Sequence, residues 1–220
     1  MPQHSLQTIS PLPQDLTARF KDWQSHDYQE KRDFYETLGQ GQSPHSMIIS
    51  CCDSRVHSMS LFGGESGEFF IHRNIANMVP PYEADDGHHG TSAAIEFAVN
   101  HLKVSRLIIM GHSSCGGIKG GYDLCKHGDN SPIANTTFIK KWVKMAKPAY
   151  DRLDPSGSEE AQIAALEKTS IMVSMENLMS FPFIRDAVAE DRLSLHALWH
   201  DIGAGQLHGY DAEKGEFAPL

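Results

Sequence analysis

The sequence predicts an α/β fold in which helices flank a central, mostly parallel sheet, with an N-terminal helical arm and an antiparallel edge strand. Short apolar segments alternate with longer amphipathic ones, which is the pattern of strands joined by crossover helices. The chain has 220 residues, of which 40% are hydrophobic, and this is enough for one core of ordinary size. We therefore expect a single domain over residues 1–220, with residues 1–40 as the arm.

The arm is predicted to be helical because its apolar residues recur at helical spacing. Leu16, Phe20 and Trp23 lie at i, i+4 and i+7, so they form one apolar stripe on a helix. A second helix is expected to end near Gly39. An exposed stripe of this kind favours packing against another surface, and the arm of an oligomer is one such arrangement.

The strands of the sheet are predicted from short apolar runs that end at glycine or polar residues. The run Leu107–Met110 is apolar throughout, as expected for a strand that is buried on both faces. The predicted strands cover residues 47–50, 69–71, 107–110 and 193–199, and residues 206–211 are expected as the antiparallel edge strand.

Helices are predicted between these strands from apolar periodicity and capping residues. One helix is expected around residues 95–102 and another is expected to begin at Gly116. Ser131 followed by Pro132 is typical of an N-cap with proline at the first helical position. A capping box from Ser156 to Glu159 predicts the start of a further helix that continues to about residue 180.

Composition excludes several classes of function. The formal net charge is −9 and the basic residues are scattered, so a nucleic-acid partner is not expected. The sequence has neither an apolar run of 18 residues nor the pattern of a signal peptide. Four cysteines in a chain of this length do not form a dense disulfide framework. These features predict a cytoplasmic protein without a membrane segment.

Cysteine and histidine side chains follow two of the predicted strands. His112 and Cys115 come directly after one strand, and Cys51 and Cys52 follow another. Two cysteines and one histidine with an open fourth position are typical of catalytic zinc, and thiolates disfavour magnesium and calcium. Because neighbours on an extended chain point to opposite sides, only one of the adjacent cysteines can face the metal, and spacing alone does not choose between them. Cys125 is a weaker candidate for a fourth ligand.

Asp53 and Arg55 lie beside the predicted metal site. Either they form an ion pair that supports the loop, or Arg55 holds Asp53 at the open coordination position. Two other functions compete with metal catalysis at this stage. One is a structural zinc module closed by a fourth protein ligand, and the other is a thiol enzyme with Cys51 as nucleophile.

Two motifs resemble the signatures of the β-class carbonic anhydrases. The run CCDSR at residues 51–55 is similar to Cys-x-Asp-Ser-Arg, and GHSSCGG at residues 111–117 is similar to Gly-His-x-x-Cys-Gly-Gly. Residues 67–77 and 94–99 also match in order and spacing. The resemblance implies one Zn²⁺ per chain on Cys51, His112 and Cys115, with Cys52 at a variable position. It also implies that Asp53 and Arg55 form a catalytic dyad.

The resemblance further implies a reaction, a substrate pocket and partners. The reaction is the reversible hydration of carbon dioxide to bicarbonate and a proton by attack of zinc-bound hydroxide, which is a lyase activity. A homodimer or higher oligomer is implied, either a dimer or a tetramer, and hydration of a sulfur analogue of carbon dioxide is an alternative. The residues implied to contact the substrate are Gln42, Phe70, Ile75, Phe97 and Gly116.

Overall fold

The computed structural model describes residues 9–220, which fall into two compact units. The first unit ends at Gln42 and the second comprises Ser43–Leu220. The boundary lies close to the predicted end of the arm, while one domain over the whole chain stays a prediction. Within the described residues, no helix is long and apolar enough to cross a membrane.

The first unit is helical, as predicted. It contains α1 (Gln14–Ser25), α2 (Asp27–Glu30) and α3 (Arg32–Leu38). None of their residues is buried, and Phe20 of the predicted stripe is 53% exposed. The apolar stripe therefore exists but is open to solvent in this chain.

The second unit is built on one mixed sheet with the order β2-β1-β3-β4-β5-β6. The first four strands in this order are parallel and the last two pairings are antiparallel. The predicted strand at residues 206–211 is antiparallel as expected, but a further short strand, β6, lies outside it. The strands are β1 (Ser46–Cys51), β2 (Phe69–Asn74), β3 (Arg106–His112), β4 (Ser194–Asp201), β5 (Gln206–Asp211) and β6 (Glu216–Pro219).

Helices connect the parallel strands, as expected for crossover connections. The helix α5 continues directly into a π-helical segment at Phe97–His101. The helices of this unit are α4 (Ser58–Leu61), α5 (Gly90–Glu96), α6 (Gly116–His127), α7 (Ile139–Val143), α8 (Lys147–Tyr150), α9 (Glu159–Leu178) and α10 (Pro182–Ala189).

Two predicted helix starts are wrong. Residues 131–134 form a turn in which the Ala134 N–H donates to the Ser131 carbonyl at 3.0 Å, and α7 begins only at Ile139. The N-cap of α9 is Ser158, whose hydroxyl accepts from the Ala161 N–H at 3.2 Å. Serine bonds its local backbone in turns as readily as in caps, so the residue type did not distinguish the two.

The core lies on both faces of the central strands. Successive residues of β1 enter different clusters, with Ile49 on one face beside Ile109 and Ile48 on the other beside Met110. Because β1 and β3 are parallel neighbours, their carboxyl ends meet at the same edge of the sheet. The loops that follow these two strands are thereby brought together.

Truncating the centre of the sheet should destabilise the fold. Ile109→Ala removes a side chain with no exposed surface, and the transfer and cavity terms together predict a loss of about 2–5 kcal/mol in the free energy of unfolding. Phe138→Ala is the control, because Phe138 is 84% exposed and should change that free energy by less than about 0.5 kcal/mol. Urea titrations of both variants measure the difference, and equal midpoints would contradict this picture of the core.

Candidate metal centre

Three ligand side chains converge where β1 and β3 end. Cys51 and His112 are the last residues of these strands, and Cys115 follows three residues later. All three are buried and their ligand atoms lie within 4.8 Å of one another. The two Sγ atoms are 3.9 Å apart, whereas two Zn–S bonds of about 2.3 Å at a tetrahedral angle span about 3.8 Å. The three side chains therefore fit one zinc ion.

The orientation of His112 also fits a metal. Its Nδ1 lies 2.9 Å from the Ser113 carbonyl oxygen, so that nitrogen donates its proton to the carbonyl. Its Nε2 is buried and has no hydrogen-bond partner among the described residues. A ligating histidine commonly donates from its other ring nitrogen in this way. The unpartnered Nε2 is the atom left for the ion.

The two cysteine thiols behave as a coupled pair. The hydrogen bond from Cys115 lowers the pKa of Cys51 to about 4, against an opposing effect of burial, and His112 acts in the same direction. The hydrogen bond to Cys51 and burial together raise the pKa of Cys115. One thiolate therefore forms readily in the free protein, and a second negative charge needs a cation beside it.

The other two cysteines lie outside this cluster. Cys52 is exposed and Cys125 is half-buried on α6. Among residues 9–220, the cluster comprises Cys51, His112 and Cys115 and no further cysteine, histidine or carboxylate. Of the two adjacent cysteines that spacing left open, the structure thus places Cys51 beside His112 and Cys115 and leaves Cys52 exposed. Three protein ligands match the open coordination of catalytic zinc rather than a closed structural site.

Asp53 and Arg55 form a bidentate ion pair next to the cluster. Arg55 Nε donates to Asp53 Oδ1 at 2.9 Å and Arg55 Nη2 donates to Oδ2 at 2.7 Å. These hydrogen bonds hold the pKa of Asp53 well below its usual range. Asp53 Oδ2 lies 4.0 Å from His112 Nε2, so an ionised carboxylate faces the nitrogen that is free for metal. Arg55 also donates to the Ser114 carbonyl at 3.0 Å, which ties the pair to the second ligand loop.

Arg73 supports the first ligand loop, a role that sequence reasoning missed. Its Nε donates to the Cys51 carbonyl at 2.9 Å and its Nη2 donates to the Asp53 carbonyl at 2.7 Å. The side chain reaches across from β2, and nothing in the motif spacing indicates this contact. The backbone on both sides of Cys52 is therefore held by one guanidinium group.

Glu167 contacts the second ligand loop and was also missed. It is buried on α9, and its carboxylate accepts hydrogen bonds from the Cys115 N–H and from Trp199 Nε1. Burial raises its pKa. The sequence could have indicated that Glu167 is buried, because it precedes the apolar Ile171 by four residues, and residues four apart lie on the same face of a helix.

The predicted substrate residues near the cluster are Ile75 and Gly116. Ile75 is 39% exposed and borders a cavity of about 710 Å³ that also contains Cys52 and Trp142. Trp142 Nε1 donates to the Ile75 carbonyl at 2.7 Å. A Cβ added at Gly116 would meet nothing within 4 Å, whereas one at Gly117 would lie 2.7 Å from Ile75 Cγ2. The close approach that requires glycine is therefore at Gly117.

Two predicted substrate residues, Phe70 and Phe97, lie elsewhere in the second unit, and a third belongs to the first unit. Gln42 is the last residue of the first unit. Phe70 pairs with Met47 in the register of β1 and β2. Phe70 is thus four residues along β2 from the position that pairs with Cys51, a distance of about 13 Å. Phe97 contacts Phe70 with 5.8 Å between ring centroids and is 44% exposed. Phe70 and Phe97 therefore form a separate aromatic pair in this chain.

The chain is similar to known carbonic anhydrases in sequence and in structure. A family model for carbonic anhydrase matches residues 46–207. Beta carbonic anhydrase 3 of Arabidopsis thaliana is 35% identical over 193 residues, which are 86% of this chain and 73% of that protein.

Two solved structures show the same fold. The β-carbonic anhydrase CcaA superposes with a TM-score of 0.84 at 28% identity over 94% of this chain and 91% of that one. A tetrameric β-carbonic anhydrase of Sordaria macrospora superposes with a TM-score of 0.76 at 30% identity, over 89% of this chain and 95% of that one. Together with the cluster of Cys51, His112 and Cys115, these similarities show that the chain belongs to the β-class carbonic anhydrases, zinc lyases that reversibly hydrate carbon dioxide.

Proposed function

We propose that Asp53 and Arg55 are the catalytic dyad of this carbonic anhydrase. The observation that supports this is the ionised Asp53 carboxylate, fixed by Arg55 and 4.0 Å from His112 Nε2. Cys51, His112 and Cys115 would hold zinc, which supplies chemistry by acidifying a bound water and so providing the nucleophile at working pH.

Asp53 orients the attacking water. Because Arg55 lowers the pKa of Asp53, the carboxylate stays ionised at working pH and can only accept hydrogen bonds. Accepting the remaining proton of the nucleophile aims its lone pair toward carbon dioxide. Arg55 keeps the carboxylate in place, because its guanidinium bonds both carboxylate oxygens and the Ser114 carbonyl.

The apolar part of the pocket comes from two sources in this proposal. Ile75 is exposed beside the cluster in the same chain. Phe70 and Phe97 would act at the site of a neighbouring copy, because Phe70 lies too far from Cys51 along β2 and Phe97 packs against Phe70. Gln42 and the Gly116 N–H remain the predicted donors to the substrate oxygens.

An oligomer is supported by the position of β2. This strand lies at one edge of the sheet, and an edge strand offers free backbone groups to another chain. The Sordaria macrospora relative is described as tetrameric. We propose a homodimer or tetramer that works in the cytoplasm, where free thiols such as Cys51 and Cys115 persist in the reduced form.

Replacing the buried cysteine should remove the metal, whereas replacing its exposed neighbour should not. Cys51→Ser is expected to reduce zinc content well below one per chain and to abolish turnover, because a thiolate ligand is lost. Cys52→Ser is the matched control and should retain both. Metal analysis of the purified proteins gives the answer, and zinc retained in Cys51→Ser with loss in Cys52→Ser would reverse the assignment.

Breaking the dyad should stop turnover without releasing the metal. Arg55→Ala frees Asp53 to move toward the open coordination position, and we expect the turnover number to fall by about 10²-fold or more. Zinc should stay near one per chain, because the three ligands are untouched. Stopped-flow carbon dioxide hydration and metal analysis measure the two quantities, and full activity would rule out the dyad.

Activity should rise from neutral to alkaline pH. The thiolates of Cys51 and Cys115 carry two negative charges, whereas three imidazole ligands carry none. Their charge disfavours loss of a proton from the attacking water, so its pKa is expected above that of an all-histidine site. Turnover measured in saturating buffer should therefore increase between about pH 6 and about pH 9, and a flat profile would contradict this expectation.

Two defective chains should complement each other if the aromatic pair acts on a neighbouring copy. Asp53→Asn inactivates its own site but keeps Phe97, and Phe97→Ala keeps Asp53. When the two variants are co-expressed, the measured activity should exceed the average of the activities of the separate variants. Activity equal to the average of the separate variants would place Phe97 in its own chain's site or outside any site.

A further inference from the structure

We propose that Glu167 is a positioning residue for the metal centre, and that its buried carboxylate holds the Cys115 loop in the conformation that binds zinc. The proposal rests on Cys115 as a zinc ligand and is independent of the Asp53–Arg55 dyad. Glu167 lies 52 residues beyond Cys115 in the chain and belongs to neither ligand motif.

The contacts of Glu167 use both of its carboxylate oxygens. Oε1 accepts from the Cys115 backbone N–H at 3.0 Å, and Oε2 accepts from Trp199 Nε1 at 3.3 Å. Glu167 itself is only 4% exposed. A buried carboxylate is costly unless its oxygens are hydrogen-bonded, so this side chain depends on these two donors, and they in turn depend on it.

The Cys115 loop needs such support because its backbone is unfavourable. Ser114 adopts φ +56°, a left-handed conformation that is uncommon for residues other than glycine. The next residue is Cys115, so the backbone at this point determines the direction of the ligand side chain. Arg55 holds the Ser114 carbonyl and Glu167 holds the Cys115 N–H. The strained turn is therefore fixed on both sides of one peptide bond.

Glu167 also links this loop to the rigid part of the fold. Trp199 is on β4, is 7% exposed, and pairs with Gly111 in the register of β3 and β4. Lys168 Nζ lies 4.3 Å from the centroid of the Trp199 ring, so two consecutive residues of α9 contact the same side chain. The carboxylate thus connects the loop to both α9 and β4, which positions it relative to the sheet end that carries His112.

Replacing the carboxylate of Glu167 by an amide separates the role of the carboxylate from that of side-chain packing. In Glu167→Gln the side-chain shape is kept, but one carboxylate oxygen becomes an NH₂ group. If its oxygen accepts from Cys115, its NH₂ faces Trp199 Nε1, and two donors then oppose each other. Trp199→Phe removes the opposing donor, so the double variant should regain part of what Glu167→Gln loses.

The experiment measures zinc release from the loaded protein to an excess of a coloured chelator. Changes to groups that hydrogen-bond metal ligands typically cost about 10–100-fold in metal affinity, so we expect Glu167→Gln to release zinc roughly 10-fold faster or more. The absorption band from thiolate to cobalt should also shift in the cobalt-loaded variant, because the Cys115 ligand changes direction. Adding Trp199→Phe should slow the release again.

Leu178→Ala is the control for general destabilisation. Leu178 is buried at the far end of α9 and belongs to the core cluster that lacks Cys115, so its loss should lower the melting temperature without accelerating zinc release. Glu167→Asp keeps the charge but is too short to reach both donors, and it decides the question if Glu167→Gln does not fold. Zinc release at the original rate, equal acceleration in Leu178→Ala, or no recovery in the double variant would each overturn the proposal.

Discussion

Two cysteine side chains and an imidazole, buried together at the ends of two parallel strands, are the constraint on which the rest of the site depends. Their ligand atoms lie within 4.8 Å of one another, and His112 Nε2 has no partner among the described residues. Burying both cysteines as thiolates is unfavourable without a cation, because burial removes the water that would solvate their charge. The parallel pairing of β1 and β3 brings the two halves together, since Cys51 and His112 are the last residues of these strands and Cys115 lies three residues beyond His112.

The charged residues around this cluster are arranged to hold the two ligand loops. Arg73 binds two carbonyl groups of the first loop, and Glu167 binds an N–H of the second. Arg55 connects the loops, because it bonds Asp53 in the first and the Ser114 carbonyl in the second. The contact between Arg55 and Asp53 joins two charged side chains, and the others join a charged side chain to a backbone group. Both kinds are stronger than a neutral hydrogen bond. The geometry of the site is thus maintained by side chains that do not themselves bind metal.

The class of fold could be predicted from the sequence because it depends on local patterns, whereas the full ligand set was implied by the family resemblance, since spacing left Cys51 and Cys52 open. Apolar runs such as Leu107–Met110 identify buried strands, and His112 and Cys115 come directly after this run at a spacing typical of metal ligands. The starts of helices were harder, because Ser131 and Ser156 can bond the nearby backbone in a turn as well as in a cap. The strand β6 was missed because its four residues, Glu216–Pro219, are too few to show an alternating pattern.

By itself, the sequence determined the class of fold, the kind of metal and the residue types that bind it. Spacing left open which of two adjacent cysteines faces His112, and the tertiary structure places Cys51 there, as the resemblance implied, because that choice depends on how each strand turns at its end. Only the tertiary structure decided that Arg73 and Glu167 support the ligand loops and that Phe70 lies about 13 Å along the strand from the level of Cys51. The contacts of Arg73 and Glu167 with the ligand loops join residues 20 to 52 positions apart, and packing between separate elements, rather than any local pattern, sets such distances.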